Sequence, residues 1–590
     1  PDQSKLYISL WGGDKVAIFD TKSQEITKEI AVESHPNDMV LTKDGQFLFV
    51  ANANANSVSV LDTQSEKVVE TISAALYPDA PTGSTSNALA IHPELNQLYI
   101  ANADNNCLAV FDISEPGKSR TLGFIPVGWY PTSVKVLGNT LFVSNGKGES
   151  SAPNPQGPNP YKKRDEQTQY IARMFKGSLS IVPIPESSGL AAYSKIVYEN
   201  TPYNKEKETL ADGEAGNPIP QKVGDSSPIK YVFYFIKENR TYDQVLGDMP
   251  EGNGDSSLCL FPERVSPNHH ALAREFVLLD NFYVDAEVSA DGHNWSTAAY
   301  ATDFTEKTWP TNYGRRGGNY DFEGGRDIAY PEKGYIWDYC ERAGVSFRSY
   351  GEFVWRSETR YPTLKGKIDK DYPGYNLKIK DVYRFEKWKQ DFDSLLAIDQ
   401  VPQFSSIRIG NDHTSGARIG NPTPRAMVAD NDLALGKFVE HISKSKIWKE
   451  SAIFVLEDDA QNGPDHVDAH RSILLVASPY TRRNQVISEM YSTASVLRTM
   501  ELILGLPPMS QYDAAAPPLW KCFTSQLDLT PYQARENNID LDEMNTEDNE
   551  LARISASFDL SKEDAAPDIP FNEVIWKTVK GSGNASQFII

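Results

Sequence analysis

Acidic and amide side chains follow two short apolar stretches of the chain, directly where each stretch ends. Glu238 and Asn239 come after IKYVFYFI, and Asp458 and Asp459 come after AIFVL. Carboxylate and amide oxygens bind hard divalent cations, and clustered carboxylates repel one another unless they are protonated or share a cation. The two pairs together therefore predict a metal site. For either pair alone, an acidic cap on the next helix explains the residues equally well.

A third stretch, DAEVSADGHNWSTAAYATD from 285 to 303, places small and polar residues around Ser289. We expect a helix to begin near Ser296, in STAAY, with Ser289 ahead of it. A serine near a helix N-terminus experiences positive potential, and beside a metal its hydroxyl can act as a nucleophile. A plain capping or loop serine is the alternative.

Two histidines and one arginine near these stretches are further candidates. His293 and His466 could protonate a leaving group or contact a developing oxyanion. Arg240 could orient a phosphate, with a salt bridge beside the strand as the alternative.

A second metal or phosphate site is suggested by Asp412 and His413 in NDHTSG, together with His470. Histidine ligation would shift the choice of ion towards zinc. We expect the pair His269 and His270 to be structural or at the surface, because no other candidate residues converge near it.

The elements that must position these residues alternate between strand and helix. The apolar runs at 229–236, 452–456 and 472–478 predict strands, and 427–445 and 492–505 predict helices. Such alternation predicts an α/β domain with a largely parallel sheet. In these sheets the active crevice lies beyond the carboxyl ends of the strands, where both acidic pairs stand.

The first part of the chain repeats a different plan. Two alternating strands flank a polar turn in three copies, and a fourth copy starts at 139–148 and resumes at 177–184 after an insertion; the copies are marked by Leu6, Leu48, Leu98 and Leu141. Repeats of this length predict the blades of an all-β propeller over 1–185. The polar stretch 186–228 predicts a linker or extended connection, followed by the α/β domain at 229–525 and a C-terminal extension at 526–590.

The totals exclude some classes of function. A formal net charge of −22 over 590 residues argues against a nucleic-acid binder and against an electrostatic membrane anchor. An anionic substrate stays open, because a bound metal reverses the local sign of charge. The absence of a long apolar run predicts no transmembrane segment, and the opening PDQSKLYISL has no signal-peptide pattern.

Both parts of the chain resemble known families. HPNDMVLTKDGQFLFVANANANSVSVLDT, from 35 to 63, resembles YVTN-type β-propellers. ENRTYDQVLG, from 238 to 247, resembles the ENRSFDHYFG-like opening of the phosphoesterase family that includes phospholipases C and acid phosphatases, within the alkaline phosphatase superfamily. The stretch around Asp458 is similar to that family's DEHGGFYDHV, and SADGHNW is similar to its nucleophile segment.

The resemblance implies a metal-dependent phosphoester hydrolase. It makes Glu238, Asn239, Asp458 and Asp459 the ligands of a divalent ion, with zinc, calcium, manganese and magnesium undistinguished. It makes Ser289 the nucleophile, through a phosphoserine intermediate on a small phosphorylated substrate, in a periplasmic or secreted protein. The family's DE is DD here and its HGGFY is AQNGP; the changed positions lie between the implied ligands, where they would shape the substrate pocket.

Two alternatives remain open at this point. One is a phosphodiesterase or phospholipase C, since substrate choice depends on pocket loops such as 309–327. The other is a binding protein whose propeller recognises a glycan, peptide or surface partner, beside a non-catalytic α/β domain. In either hydrolase we expect the propeller to be non-catalytic, and removal of 1–185 to leave hydrolysis measurable provided that the remaining domain folds.

Overall fold

The computed structural model describes residues 3–148, 150–157, 169–317, 323, 325–461, 463–561 and 564–581. Residues 149 and 158–168 of the insertion after the fourth repeat lie outside this part, as do 318–322 and 324 of the loop at 309–327.

The N-terminal strands form four antiparallel sheets in the described part of the chain. Their bounds are β1 Lys5–Leu10, β2 Lys15–Asp20, β3 Glu25–Ala31, β4 Pro36–Leu41, β5 Phe47–Asn52, β6 Ser57–Asp62, β7 Lys67–Ser73, β8 Ser86–Ile91, β9 Gln97–Asn102, β10 Cys107–Asp112, β11 Arg120–Pro126, β12 Trp129–Leu137, β13 Thr140–Gly148 and β14 Ser178–Pro183. The sheets are β1–β3, β4–β7, β8–β11 and β12–β14.

The predicted propeller-like organisation is confirmed. The first strand of each sheet contacts the first strand of the next, in the order β1, β4, β8 and β12. Strand β13 pairs with β14 across the insertion, so the interrupted fourth repeat closes into one sheet.

The stretch 186–228 is only partly the extended connection that we expected. Helix α1, Ser187–Asn200, packs on β11, where Leu190 and Ser194 crowd Gly123 and the Ser194 hydroxyl accepts the Phe124 N–H at 2.8 Å. The sequence did not predict this helix because it is mostly polar. Its buried face is narrow and consists of Leu190 and Val197. The extended connection begins after residue 200.

The α/β domain is built on a five-stranded sheet. The remaining strands are β15 Tyr231–Lys237, β16 Val277–Leu279, β17 Phe282–Tyr283, β18 Phe347–Tyr350, β19 Phe404–Arg408, β20 Ser451–Glu457, β21 Leu474–Ala477, β22 Gln485–Ile487 and β23 Tyr491–Ser492. The sheet order is β18-β19-β15-β20-β21, parallel except for β21. The prediction of a largely parallel sheet is therefore confirmed.

Helices cover both faces of this sheet. They are α2 Tyr242–Leu246, α3 Pro267–Glu275, α4 Ser289–Ala298, α5 Asp303–Tyr313, α6 Ile336–Ala343, α7 Asp381–Ala397, α8 Pro424–Ser443, α9 Thr493–Leu504, α10 Gln511–Ala515, α11 Glu550–Ala556 and α12 Asp568–Lys580. Central strand β15 sends Phe233 and Phe235 into one core and Val232, Tyr234 and Ile236 into the other. Burial on both faces explains its unbroken apolar run.

The C-terminal extension is part of the α/β domain and not a separate appendage. Phe558, Phe571 and Trp576 are buried in the same core as β15. The Tyr532 hydroxyl donates to Asn268 at 2.8 Å on α3. The boundary that we drew at 525 is therefore too early, because polar spacers hide the few apolar anchors of this segment from periodicity analysis.

The propeller touches the loops that surround the strand ends. Lys147 lies 3.1 Å from Glu287, and Asn154 donates to the Gly463 carbonyl at 2.9 Å and accepts the Asp465 N–H at 2.8 Å. Removal of 1–185 would break these contacts, so the expectation of measurable hydrolysis depends on whether the remaining domain folds without them. No helix in the described part of the chain is long and apolar enough to cross a bilayer.

Candidate active site

The two acidic pairs meet because their strands are neighbours. Strand β15 pairs in parallel with β20, and the register sets Lys237 opposite Glu457, so the residues that follow share one edge of the sheet. All four side chains of the pairs are buried: Glu238, Asn239, Asp458 and Asp459. The convergence expected from the sequence is thus present in the structure.

Backbone conformation lets the first pair turn towards the second. Asn239 has a φ of 60°, in the left-handed region that asparagine tolerates better than most residues. Its backbone N–H donates to Asp458 Oδ1 at 3.4 Å.

Ser289 lies against both pairs. Its hydroxyl is 2.6 Å from Asp459 Oδ2 and 3.0 Å from Asn239 Oδ1, and the residue is buried. Ser289 is the first residue of α4, so our placement of it ahead of the helix is wrong. Asp291 starts the helix early by accepting the backbone N–H groups of Glu287 and Val288, at 3.1 and 3.0 Å.

A glycine allows helix α4 to approach the second pair. A Cβ on Gly292 would lie 2.8 Å from the Asp458 carbonyl oxygen, closer than real contacts allow. Later in the helix the Thr297 hydroxyl donates to the His293 carbonyl, which removes it as a competing nucleophile.

His293 faces the carboxylates from the next turn of α4. Its Nε2 is 3.3 Å from Asp458 Oδ2 and 3.9 Å from Glu238 Oε1, and its Nδ1 is 2.7 Å from Glu352 Oε1. A carboxylate at Nδ1 fixes the proton there and turns the Nε2 lone pair to Glu238 and Asp458. A histidine held in this way can offer Nε2 to a metal ion, and its role in leaving-group protonation or oxyanion contact stays a prediction.

The donor set fits a divalent cation. Ligand atoms of Glu238, His293 and Asp458 all lie within 4.8 Å of one another. Asp458 Oδ2 is buried and has no hydrogen-bond donor among the described residues. Burial and the charges of Asp459 and Glu238 raise the pKa of Asp458 well above its usual value, and burial and Asp564 do the same for Asp459. A cation would relieve this repulsion.

Arg408 enters the site from the other neighbour of β15. It ends strand β19, and its Nη2 and Nε lie 2.7 and 2.9 Å from Glu238 Oε1. The same Nη2 is 3.3 Å from His293 Nε2. The strand-end rule would have found Arg408 had the short, mixed stretch FSSIR been recognised as a strand.

Asp564 is a site residue that the sequence did not reveal. It comes from the C-terminal extension, accepts the Tyr313 hydroxyl at 2.6 Å and lies 3.4 Å from Asn239 Nδ2 and 3.7 Å from His413 Nε2. Burial raises its pKa, but bonds from His413, Tyr313 and Ser289 outweigh burial and the net shift is downward.

The other candidates divide into one that approaches the site and four that do not. His413 is brought in through Asp564, and its ring stacks on Phe571 with centroids 5.2 Å apart. The other four side chains contact residues outside the candidate ligand set in the described part of the chain. They are Arg240, Asp412, His466 and His470.

Each of these four has a structural partner. Arg240 is buried and donates to the carbonyls of Asp412 and His413, and Asp412 Oδ2 pairs with Lys237 at 2.7 Å. His466 is held by Asp243 at 2.7 Å and His470 by Asp468 at 2.8 Å.

The pair His269 and His270 is buried and structural. His269 lies 2.6 Å from Asp432, and His270 lies 2.8 Å from Asp248. Of the two alternatives that we expected for this pair, a structural role or a surface position, the structure shows the structural role.

Two family models match the chain. Residues 252–507 match the Phosphoesterase family, and residues 1–152 match the family Lactonase, 7-bladed beta-propeller. The chain thus joins a propeller segment to a phosphoesterase-family domain, as the sequence indicated. The phosphoesterase match includes Ser289, Asp458 and Asp459 and begins after Glu238 and Asn239.

Solved structures resemble the chain only in part. Hydrazine synthase of Kuenenia stuttgartiensis is 22% identical over 31% of this chain and 61% of its own, with a TM-score of 0.23. U3-55K is 15% identical over 25% of this chain and 44% of its own, with a TM-score of 0.22. The chain spans less than two thirds of the length of either structure. No curated protein matches the chain.

Proposed function

We propose that the chain is a metal-dependent phosphoester hydrolase in which Ser289 is the nucleophile and a phosphoserine is the intermediate. The observation that carries the proposal is the position of the Ser289 hydroxyl, 2.6 Å from Asp459 and 3.0 Å from Asn239 at a helix N-terminus. The phosphoesterase-family match over 252–507 supports hydrolysis of phosphate esters in general.

The ion would be held by Glu238, Asn239, Asp458 and Asp459, with His293 Nε2 within reach. This mixed oxygen and imidazole set suits zinc or manganese better than calcium. When bound, such an ion polarises a phosphoryl oxygen and favours the ionised form of a neighbouring hydroxyl.

Several side chains of the protein have proposed roles in the reaction besides metal binding. The Ser289 hydroxyl proton points at Asp459 Oδ2, so a carboxylate stands where that proton leaves. The N-terminus of α4 supplies positive potential for phosphoryl oxygens, and Arg408 adds a buried guanidinium that contacts Glu238 Oε1 at 2.7 Å. Asp564 orients Asn239 and Ser289 through its hydrogen bonds.

The substrate is a small phosphorylated compound in this proposal, and the protein acts in the periplasm or outside the cell. The proposed substrate class is supported by the phosphoesterase-family match and by the convergence of the candidate metal ligands. The proposed location rests on the family resemblance alone. No role in the reaction is proposed for Arg240, Asp412, His466 or His470, because their side chains are committed to other partners.

Hydrolysis of p-nitrophenyl phosphate by the full chain tests the proposal. After chelation, activity should return with zinc or manganese, and Ser289→Ala should lower kcat by about a thousandfold or more. Ser296→Ala, in the same helix, is the matched control and should keep kcat within about twofold, since the buried Ser296 hydroxyl has no hydrogen-bond partner among the described residues. A near-normal kcat in Ser289→Ala with metal bound would overturn the serine mechanism.

The matched diester, bis(p-nitrophenyl) phosphate, separates the two hydrolase classes in the same assay. We expect the monoester to be the better substrate. A higher kcat/KM for the diester would assign the chain to the phosphodiesterases.

A further inference from the structure

A cavity of about 600 Å³ opens beside the candidate nucleophile. Its walls come from three separate parts of the chain: the propeller insertion with Arg173, helix α5 and the turn after it with Trp309 and Arg315, and the C-terminal segment with Asp568. The candidate catalytic residues themselves do not line it.

Tyr313 connects this cavity to the active site. The residue lines the cavity, while its hydroxyl donates to Asp564 at 2.6 Å and accepts the Ala290 N–H at 3.2 Å. Ala290 follows Ser289 directly, and Asp564 accepts a hydrogen bond from Asn239 at 3.4 Å, whose Oδ1 accepts the Ser289 hydroxyl at 3.0 Å. A molecule held at Ser289 therefore has this cavity as its neighbour on the Tyr313 side.

The cavity is cationic in an acidic protein. Arg173, Arg315 and Arg316 line it, all three are exposed, and none forms an ion pair with a described residue. The lining also includes one carboxylate, Asp568. It accepts hydrogen bonds from the Tyr170 hydroxyl at 3.0 Å and from Gln461 Nε2 at 2.6 Å. In a chain of net charge −22, three guanidinium groups around one cavity, without an ion pair to any described residue, favour an anionic ligand.

The rest of the lining adds aromatic surface and a spare donor. Tyr170, Trp309 and Tyr313 line the cavity. Trp309 is 7% exposed, and its indole Nε1 has no acceptor among the described residues. Guanidinium groups bind phosphate and carboxylate through paired hydrogen bonds, and aromatic faces pack on planar or aliphatic groups.

We propose that this cavity binds the distal anionic group of a bis-anionic organic phosphate whose phosphoester is cleaved at Ser289. The inference rests on the proposed function, because it places the second group of the same substrate. Arg315 and Arg316 would hold the distal phosphate or carboxylate, and Trp309 and Tyr313 would cover the connecting carbons.

Binding of two hydrolysis-resistant probes tests the inference independently of turnover. The probes are an α,ω-alkane bisphosphonate and the alkylphosphonate of equal chain length, titrated by calorimetry into the full chain with its metal. Wild type should bind the bisphosphonate about tenfold more tightly, as expected for charge-assisted hydrogen bonds at a partly exposed site. The double variant Arg315→Ala/Arg316→Ala should erase that preference, and Arg173→Ala should reduce it.

Arg264→Ala is the matched control, an exposed arginine outside the cavity, and should keep the full preference. Equal affinity of wild type for both probes, or a preference that survives in the double variant, would overturn the inference. Hydrolysis of the two corresponding phosphate esters separates it from the proposed function: a preserved binding preference without any turnover refutes the hydrolase and leaves the anion subsite standing.

Discussion

The buried acidic group beneath the nucleophile helix depends on a lysine from the propeller. Glu287, Asp291 and Glu306 have carboxylate oxygens within 4.8 Å of one another. Lys147 on β13 lies 3.1 Å from Glu287 and 3.6 Å from Glu306. Replacing Lys147 by Met keeps the aliphatic part of the side chain and removes its charge. The three carboxylates then lose the cation that balances them.

The structure sets the size of the effect. Removing one partner of a buried ion pair costs about 3–5 kcal/mol. The Lys147 side chain is 30% exposed, and solvent screening puts its contribution at the low end, about 3 kcal/mol. For a domain of this size each kcal/mol lowers the melting temperature by about 2 °C, so Lys147→Met should melt about 6 °C lower.

The loss of stability caused by Lys147→Met should grow as the pH rises. Burial raises the pKa of Glu306 to about 7 against the opposing charge of Lys147, and Lys147 lowers the pKa of Glu287. Without Lys147 the folded-state pKa of Glu306 rises further above the unfolded value of about 4.3, and the lowered pKa of Glu287 moves upward. The folded variant then binds protons that the unfolded chain does not, so its stability falls as pH rises through those values. Wild type and variant should differ more at about pH 8 than at about pH 5.5.

Differential scanning fluorimetry at both pH values measures this prediction. Lys15→Met is the control, because it removes an exposed pair with Glu29 and should change little. Equal melting shifts for the two variants at both pH values would refute the reasoning, since they would show that the acidic group does not need Lys147.

Three further predictions follow from contacts at the site. Glu352→Gln removes the carboxylate at His293 Nδ1 and should weaken zinc binding by about tenfold or more in a competition titration; unchanged affinity would exclude His293 as a ligand. Asp564→Asn keeps the shape but not the charge and should lower kcat by about tenfold or more with an unchanged melting temperature; normal kcat would make the C-terminal segment purely structural. Asn154→Ala breaks two bonds to the 463–465 loop and should lower kcat and melting temperature together; normal values for both would show that these two bonds do not help to build the site.

The central part of the site was predictable because parallel strands end at a common edge. Apolar runs located β15 and β20, and the acidic pairs after them had to converge once the strands were neighbours. The repeat period likewise predicted the propeller sheets, including the one that closes across an insertion.

Residues outside periodic segments could not be placed in the same way. Asp564 reaches the site from a C-terminal stretch whose sequence shows neither strand nor helix period. Arg408 ends a five-residue strand with two serines, too short and too polar to stand out. His466 has the right spacing from Asp459, but its loop turns the side chain to Asp243 instead.

Ser289 shows how local chemistry overrides helix propensity. SADGHNW contains Gly292 and several weak helix formers, which made a later helix start more natural. The Asp291 carboxylate accepts two backbone N–H groups and starts the helix at Ser289, which places the hydroxyl at its positive end.

The most direct measurement of the central claim is the identity of the residue that carries phosphate during turnover. The full chain with its metal is mixed with p-nitrophenyl phosphate, quenched in acid during the burst, and mapped by peptide mass spectrometry. Phosphate should be found on Ser289 in wild type and in Ser296→Ala, and on no residue in Ser289→Ala. Rapid hydrolysis without phosphate on Ser289, or with phosphate on another residue, would contradict the account.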